Sequence, residues 1–197
     1  MRDRGAAIVE FALISFALFF LLFFIIEGAF AVRARTTVSN ALDDAARRAA
    51  IAGDAPDADY QILFQLFGRN VAGVAEVERV VIFKADSGNA PVPPGCLNGV
   101  PQSDVCNVYT AAQLFDANGA FNDNPSLYAC PRAWCSTDRG KNTDGSLEFI
   151  GVHVEADYRT IISGIEGAFF PEALSVNVSG HALQAIETIE IVTATGP

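Results

Sequence analysis

Three groups of residues have side chains and spacings that could do chemistry: Glu10 inside a long apolar run, the cysteines Cys96, Cys106, Cys130 and Cys135, and the histidines His153 and His181. Glu10 carries the sharpest signal. Between Ala6 and Ile26 it is the one ionisable side chain, and about twenty apolar residues are what a helix needs to cross a bilayer. A carboxylate at membrane depth costs about 3 kcal/mol or more unless it is paired or serves a purpose. A positive charge on a neighbouring subunit would serve as the partner, and a cut after Gly5 would create one as the amine of Ala6.

The cysteines all lie in a Pro-, Gly- and Asn-rich middle and none falls in the apolar run. An even set confined to loops downstream of a membrane segment reads as disulfides made in an oxidising compartment, which places the residues after the span outside the cytoplasm. Four cysteines allow three pairings; the sequence-local one, Cys96 with Cys106 and Cys130 with Cys135, closes two small loops. Zinc is disfavoured because these spacings do not form paired C-x2-C knuckles and no histidine lies among them. A redox catalyst would need a C-x-x-C pair, which is absent from the sequence.

By alternation His153 and His181 should face solvent on their strands, so surface histidines are the expected reading. The Asx-rich runs Asp116 to Asn124 and Asp138 to Asp144 offer oxygen ligands, yet neither fits the twelve-residue calcium loop, and ordinary turns are expected. No nucleophile elbow, phosphate loop or metalloprotease motif occurs. The sequence therefore predicts no enzyme, no cofactor and no metal site. A net charge of −10 argues against nucleic acid, whose phosphates demand clustered Lys and Arg.

The elements that position these groups follow from periodicity. Past Ile26 the helix signal continues: Val38, Leu42, Ala45, Ala46 and Ala49 line one helical face, and Asp43 to Arg47 and Asp44 to Arg48 are favourable i to i+4 pairs. A helix from Ala6 to Ala52 would be a rod of roughly 70 Å, ended by Gly53 and Pro56. A second helix, capped by Asp57, should carry Tyr60, Leu63, Phe64, Phe67 and Val71 on one face and stop at Gly73. Val77 to Lys84 reads as a strand ending at a Ser87-Gly88-Asn89 turn. Residues 86 to 146 show little regular structure, at most a short helix near Tyr109 to Phe115, and need crosslinks to hold them. Phe149 to Tyr158 and Leu174 to Ala182 alternate as half-buried strands, joined through Ile161 to Phe170; the tail from Ile186 has no clear face. Glu27, at the outer end of the span, reads as a water-exposed boundary residue, and Trp134 as a cover for its loop.

These readings give an α+β fold: a transmembrane helix over 6–26, an amphipathic extension over 27–52, and an extracytoplasmic head over 53–197 with a small antiparallel sheet and a disulfide-bonded loop region. A cut after Gly5 would make residues 1–5 a leader.

The stretch Arg4-Gly5-Ala6-Ala7-Ile8-Val9-Glu10-Phe11-Ala12-Leu13, followed by a long apolar helix, resembles the class III signal of type IV pilins and, within that class, the TadE family of minor pseudopilins of the tight-adherence (Tad) pilus. Ile25-Ile26-Glu27-Gly28, Val32-Arg33 and the Ala- and Arg-rich Ala41 to Ala50 extend the similarity over roughly the first fifty residues. At Ser15 and Phe16 the chain departs from the family, which often has proline there. The resemblance implies cleavage between Gly5 and Ala6 by a prepilin peptidase and subunit packing through Glu10 and Phe11. It also implies other pilin or pseudopilin subunits as partners, residence in the inner membrane and then in a pilus. The alternative is a signal-anchored extracytoplasmic binding or adhesion domain with no pilus role, in which residues 1–5 would be retained.

Overall fold

The computed structural model describes residues 3–68, 71–140, 148–159 and 175–186. One helix, α1 (Asp3–Ala52), runs without a break to Ala52, as the continuous apolar periodicity predicts. Gly53 ends it by adopting φ +52, a left-handed conformation that costs glycine little, while its N–H returns to the Ala49 carbonyl at 3.0 Å.

The two halves of α1 have opposite environments. Apolar residues from Ile8 to Ile26 are exposed. From Ala34 onward a stripe of Ala34, Val38, Ala41, Leu42, Ala45 and Ala49 is buried against α2 (Ala58–Gly68) and the sheet. The alanines matter because a methyl side chain lets a helix backbone approach its neighbour closely; the same face of leucines would hold the head away.

Helix α2 buries Asp59, Ile62, Leu63, Leu66 and Phe67. This differs from the expected face: Phe64 stays 51 % exposed, and the helix stops at Gly68 rather than Gly73, which lies in a following 3-10 turn with Val71. Asp57 accepts the side-chain amide of Gln61 at 2.8 Å.

The sheet comprises β1 (Glu76–Ala85), β2 (Cys106–Thr110), β3 (Phe149–Arg159), β4 (Ser175–Asn177) and β5 (Gly180–Ala185), all paired antiparallel. Its order is β2-β1-β3-β4, with β5 also on β3. Strands β4 and β5 are successive parts of one interrupted strand along the same edge: Asp157 faces Asn177 and Val154 faces Gly180 without a change of register. The interruption falls at Val178 and Ser179, where Asn177 Oδ1 accepts the Ser179 N–H at 3.1 Å. The expected strand from Leu174 to Ala182 is thus present from Ser175 as two antiparallel pieces, and Leu174 lies outside the described residues. The segment Ile161 to Phe170 and the tail beyond Ile186 also lie outside the described residues.

Both sheet faces are covered. Val80, Ile82, Ile150, Val152, Val154 and Ala156 face the helices. Val81, Phe83, Ala85, Cys106 and Val108 form a second core with Val92 and Cys96. Gly151 permits this outer layer, because a Cβ there would stand 2.3 Å from the Phe83 ring.

The middle of the chain is more ordered than expected. Besides β2 it holds two one-turn helices, α3 (Pro94–Leu97) and α4 (Ala111–Leu114). Disulfides join Cys96 to Cys106 and Cys130 to Cys135, the sequence-local pairing. Between them no crosslink is needed: Phe67 packs on Phe115 and Phe121, each with ring centroids 5.0 Å apart, and Phe121 stacks on Tyr128 at 5.9 Å. Such ring pairs contribute about 0.5–1.5 kcal/mol each beyond their buried area.

Candidate functional site

The amino-terminal half of α1 is the candidate site. Gly5 and Ala6 fall in its first turns. Glu10 and Phe11 follow on the exposed part of the helix, Phe11 being 73 % exposed. Glu10 has no partner among the described residues. The apolar stretch reaches a mean hydropathy of 2.7, with none of it buried, and is long and apolar enough to cross a membrane. An isolated apolar rod of this kind buries its surface only in lipid or against other helices.

The head meets the rod at Glu27. This carboxylate is half-buried rather than fully exposed, and it accepts a hydrogen bond from the Tyr158 hydroxyl of β3 at 3.4 Å. Burial, and then the nearby Glu27, raise the Tyr158 hydroxyl above its ordinary pKa of 10.0. Glu27 is therefore a contact between the end of the apolar run and the head, which corrects its reading as a boundary residue in water.

Among the described residues, the head buries a charged cluster around Asp59. Asp59 in the first turn of α2 is 2 % exposed. Its carboxylate pairs with Arg139 at 2.6 Å and accepts hydrogen bonds from Asn107 at 2.7 Å and from the Tyr109 hydroxyl at 2.6 Å. The Arg139 guanidinium lies over the Trp134 ring, 4.2 Å from its centre, a geometry that favours a desolvated cation. Asn107 also exchanges hydrogen bonds with the Trp134 backbone, donating to its carbonyl at 2.7 Å and accepting its N–H at 2.9 Å. Burial and the Asp59 charge push the Tyr109 hydroxyl up, so it remains a donor. This network ties the Cys130–Cys135 loop to β2 and α2. Trp134, 2 % exposed, is a core residue rather than a cover for the loop. Sequence reasoning missed the cluster: Asp59 looks like an acid placed at a helix start, and Arg139 like a loop cation.

His153 overturns its expected position. It is 9 % exposed, on the sheet face that carries the second core, and it stands directly opposite exposed His181. Burial, followed by the neighbouring His181 and, after an opposing hydrogen bond to the Gly180 backbone, by Arg79, pushes its pKa from 6.5 down to about 4. In the first Asx-rich run, Asp116 accepts the backbone N–H groups of Asn118 at 2.8 Å and Ala120 at 2.9 Å; those bonds hold its carboxyl below the usual range. Of the second run, residues beyond Gly140 lie outside the description.

Among the described residues, one apolar helix is exposed from Ile8 to Ile26 and serves as the spine of a small α+β head in its second half. Residues 5–47 match the family model described as TadE-like protein. The matched segment contains Glu10, Phe11 and most of the buried alanine stripe. No curated protein and no solved structure matches the chain.

Proposed function

We propose that the chain is a minor pseudopilin of a Tad-type pilus, cut after Gly5 by a prepilin peptidase and acting in pilus assembly as a structural subunit rather than an enzyme. One observation carries this reading: the TadE-like segment 5–47 coincides with a helix whose large apolar residues from Ile8 to Ile26 are exposed and which holds Glu10 as its lone acid between Ala6 and Ile26. Before assembly the helix spans the inner membrane with the head outside the cytoplasm, where the two disulfides form. In the assembly, neighbouring helices cover the exposed apolar surface. Glu10 then faces the Ala6 amine of an adjacent subunit, and the pair replaces a costly unpaired acid with one permitted register.

Amino-terminal sequencing of the mature protein tests the processing step. Cells with active peptidase should yield a chain starting at Ala6, whereas an intact Met1 would instead favour a simple signal anchor. Glu10→Ala tests the packing step separately: the variant should remain in the membrane at wild-type abundance while piliation falls, and normal piliation would reject the charge pairing.

A further inference from the structure

We propose that His153 and His181 together bind one divalent transition-metal ion on the outer face of the sheet. These are the chain's two histidines, on β3 and β5, and the register sets them directly opposite each other. Val178 N–H bonds to the Ala156 carbonyl at 2.9 Å on the same edge. Counting along the strands from that bonded pair puts His153 and His181 in a non-hydrogen-bonded pair. In such pairs the Cβ atoms stand only about 4.5–5.5 Å apart. The ring centres are 6.4 Å apart and inclined by 45°.

Two imidazoles on one ion, each nitrogen at about 2 Å, place their ring centres roughly 5 Å apart. The remaining gap closes when the exposed His181 ring turns toward its partner. His153 supplies the fixed half of the site. It is held in the sheet with its ring beside the Gly180 backbone and its Nδ1 buried outside good hydrogen-bond geometry with any described group. An ion binding at this pair gives the histidines a role that surface position or packing alone does not.

The surroundings permit a cation. Arg79 is the positive charge that acts on His153, and its guanidinium is engaged by Glu155 at 2.6 Å and by the Leu97 carbonyl at 2.8 Å; Arg35 and Asp43 line a surface pocket with His181. Glu155 lies two residues along β3 from His153 on the same face, so the pair of histidines sits beside a neutralised ion pair. With two protein ligands and no third within the described residues, water fills the other positions. Imidazole donors select zinc, copper or nickel over magnesium and calcium, which prefer oxygen cages. The bound ion would crosslink β3 to β5, the strand that lies against α1.

The test uses the full chain purified in detergent micelles, stripped of metal with a chelator, and titrated with Zn2+ at neutral pH by calorimetry. The wild type should bind one ion per chain, and saturating Zn2+ should raise its melting temperature. His181→Ala removes an exposed ring, so its metal-free melting should match the wild type, while its Zn2+ affinity falls at least tenfold and the thermal shift disappears. His153→Gln should lose the same binding. Equal affinity in wild type and His181→Ala, or no Zn2+ binding by a cooperatively folded wild type, would overturn the site.

Discussion

Removing one member of the Asp59–Arg139 pair leaves the other as an uncompensated charge in the core, which typically costs about 3–5 kcal/mol. Asp59→Ala should therefore lower the free energy of unfolding by about that amount, read from urea titration. The double variant Asp59→Ala/Arg139→Met should recover part of the loss, since both are buried at 2 % and 1 % exposure and the apolar replacement retains contact with Trp134. His153 supplies a prediction of opposite origin. Its pKa of about 4 lies below the ordinary 6.5, so between these values the unfolded chain takes up the proton that the folded chain refuses. The stability tied to His153 is present above about pH 6.5 and is lost as the pH falls toward 4. Facing it are His181, Arg79 and Glu155. In the presence of a chelator, His153→Gln should flatten the stability profile across that window, and an unchanged slope would assign the pH dependence to other groups.

The elements that announced themselves in the sequence are those whose burial has one period. The stripe from Val38 to Ala49 and the alternation from Phe149 to Tyr158 each face a single core, so α1 and β3 were legible almost to the residue. Strand β2 was not, because Cys106, Asn107, Val108 and Tyr109 are buried on both faces and their mixture of thiol, amide and phenol imitates a loop. His153 was misplaced for the same reason: alternation reveals which side a residue faces, but not that the second side is roofed by residues far along the chain. The buried charge cluster joins α2, β2 and the Cys130–Cys135 loop, and no local spacing encodes such a meeting. Two predictions belong to this roof. Gly151→Ala forces a methyl into the Phe83 ring and should destabilise the head by about 1–3 kcal/mol, seen as a lower melting temperature. Replacing Cys96 and Cys106 together with serine should cost about 2–3 kcal/mol by freeing the short loop in the unfolded chain, measured by denaturant titration without reductant.

At the scale of the whole molecule, α1 belongs to two structures at once. Its residues from Ala34 to Ala50 are core residues of the head, whereas the apolar run before Glu27 touches none of it and awaits lipid or neighbouring helices. The junction is narrow: Glu27 meets Tyr158, and the packed face begins with Ala31, which lies against the main core. Folding of the head should therefore be independent of the span. A chain starting at Glu27 should be water-soluble and unfold cooperatively, with a free energy within about 1 kcal/mol of the full chain in micelles, because truncation removes no buried core contact and such distant sites act additively. Urea titration followed by circular dichroism measures this. A truncated head that is molten or markedly less stable would show that the apolar half of α1 supports the fold itself. Retained stability would leave that half free to be covered by other subunits.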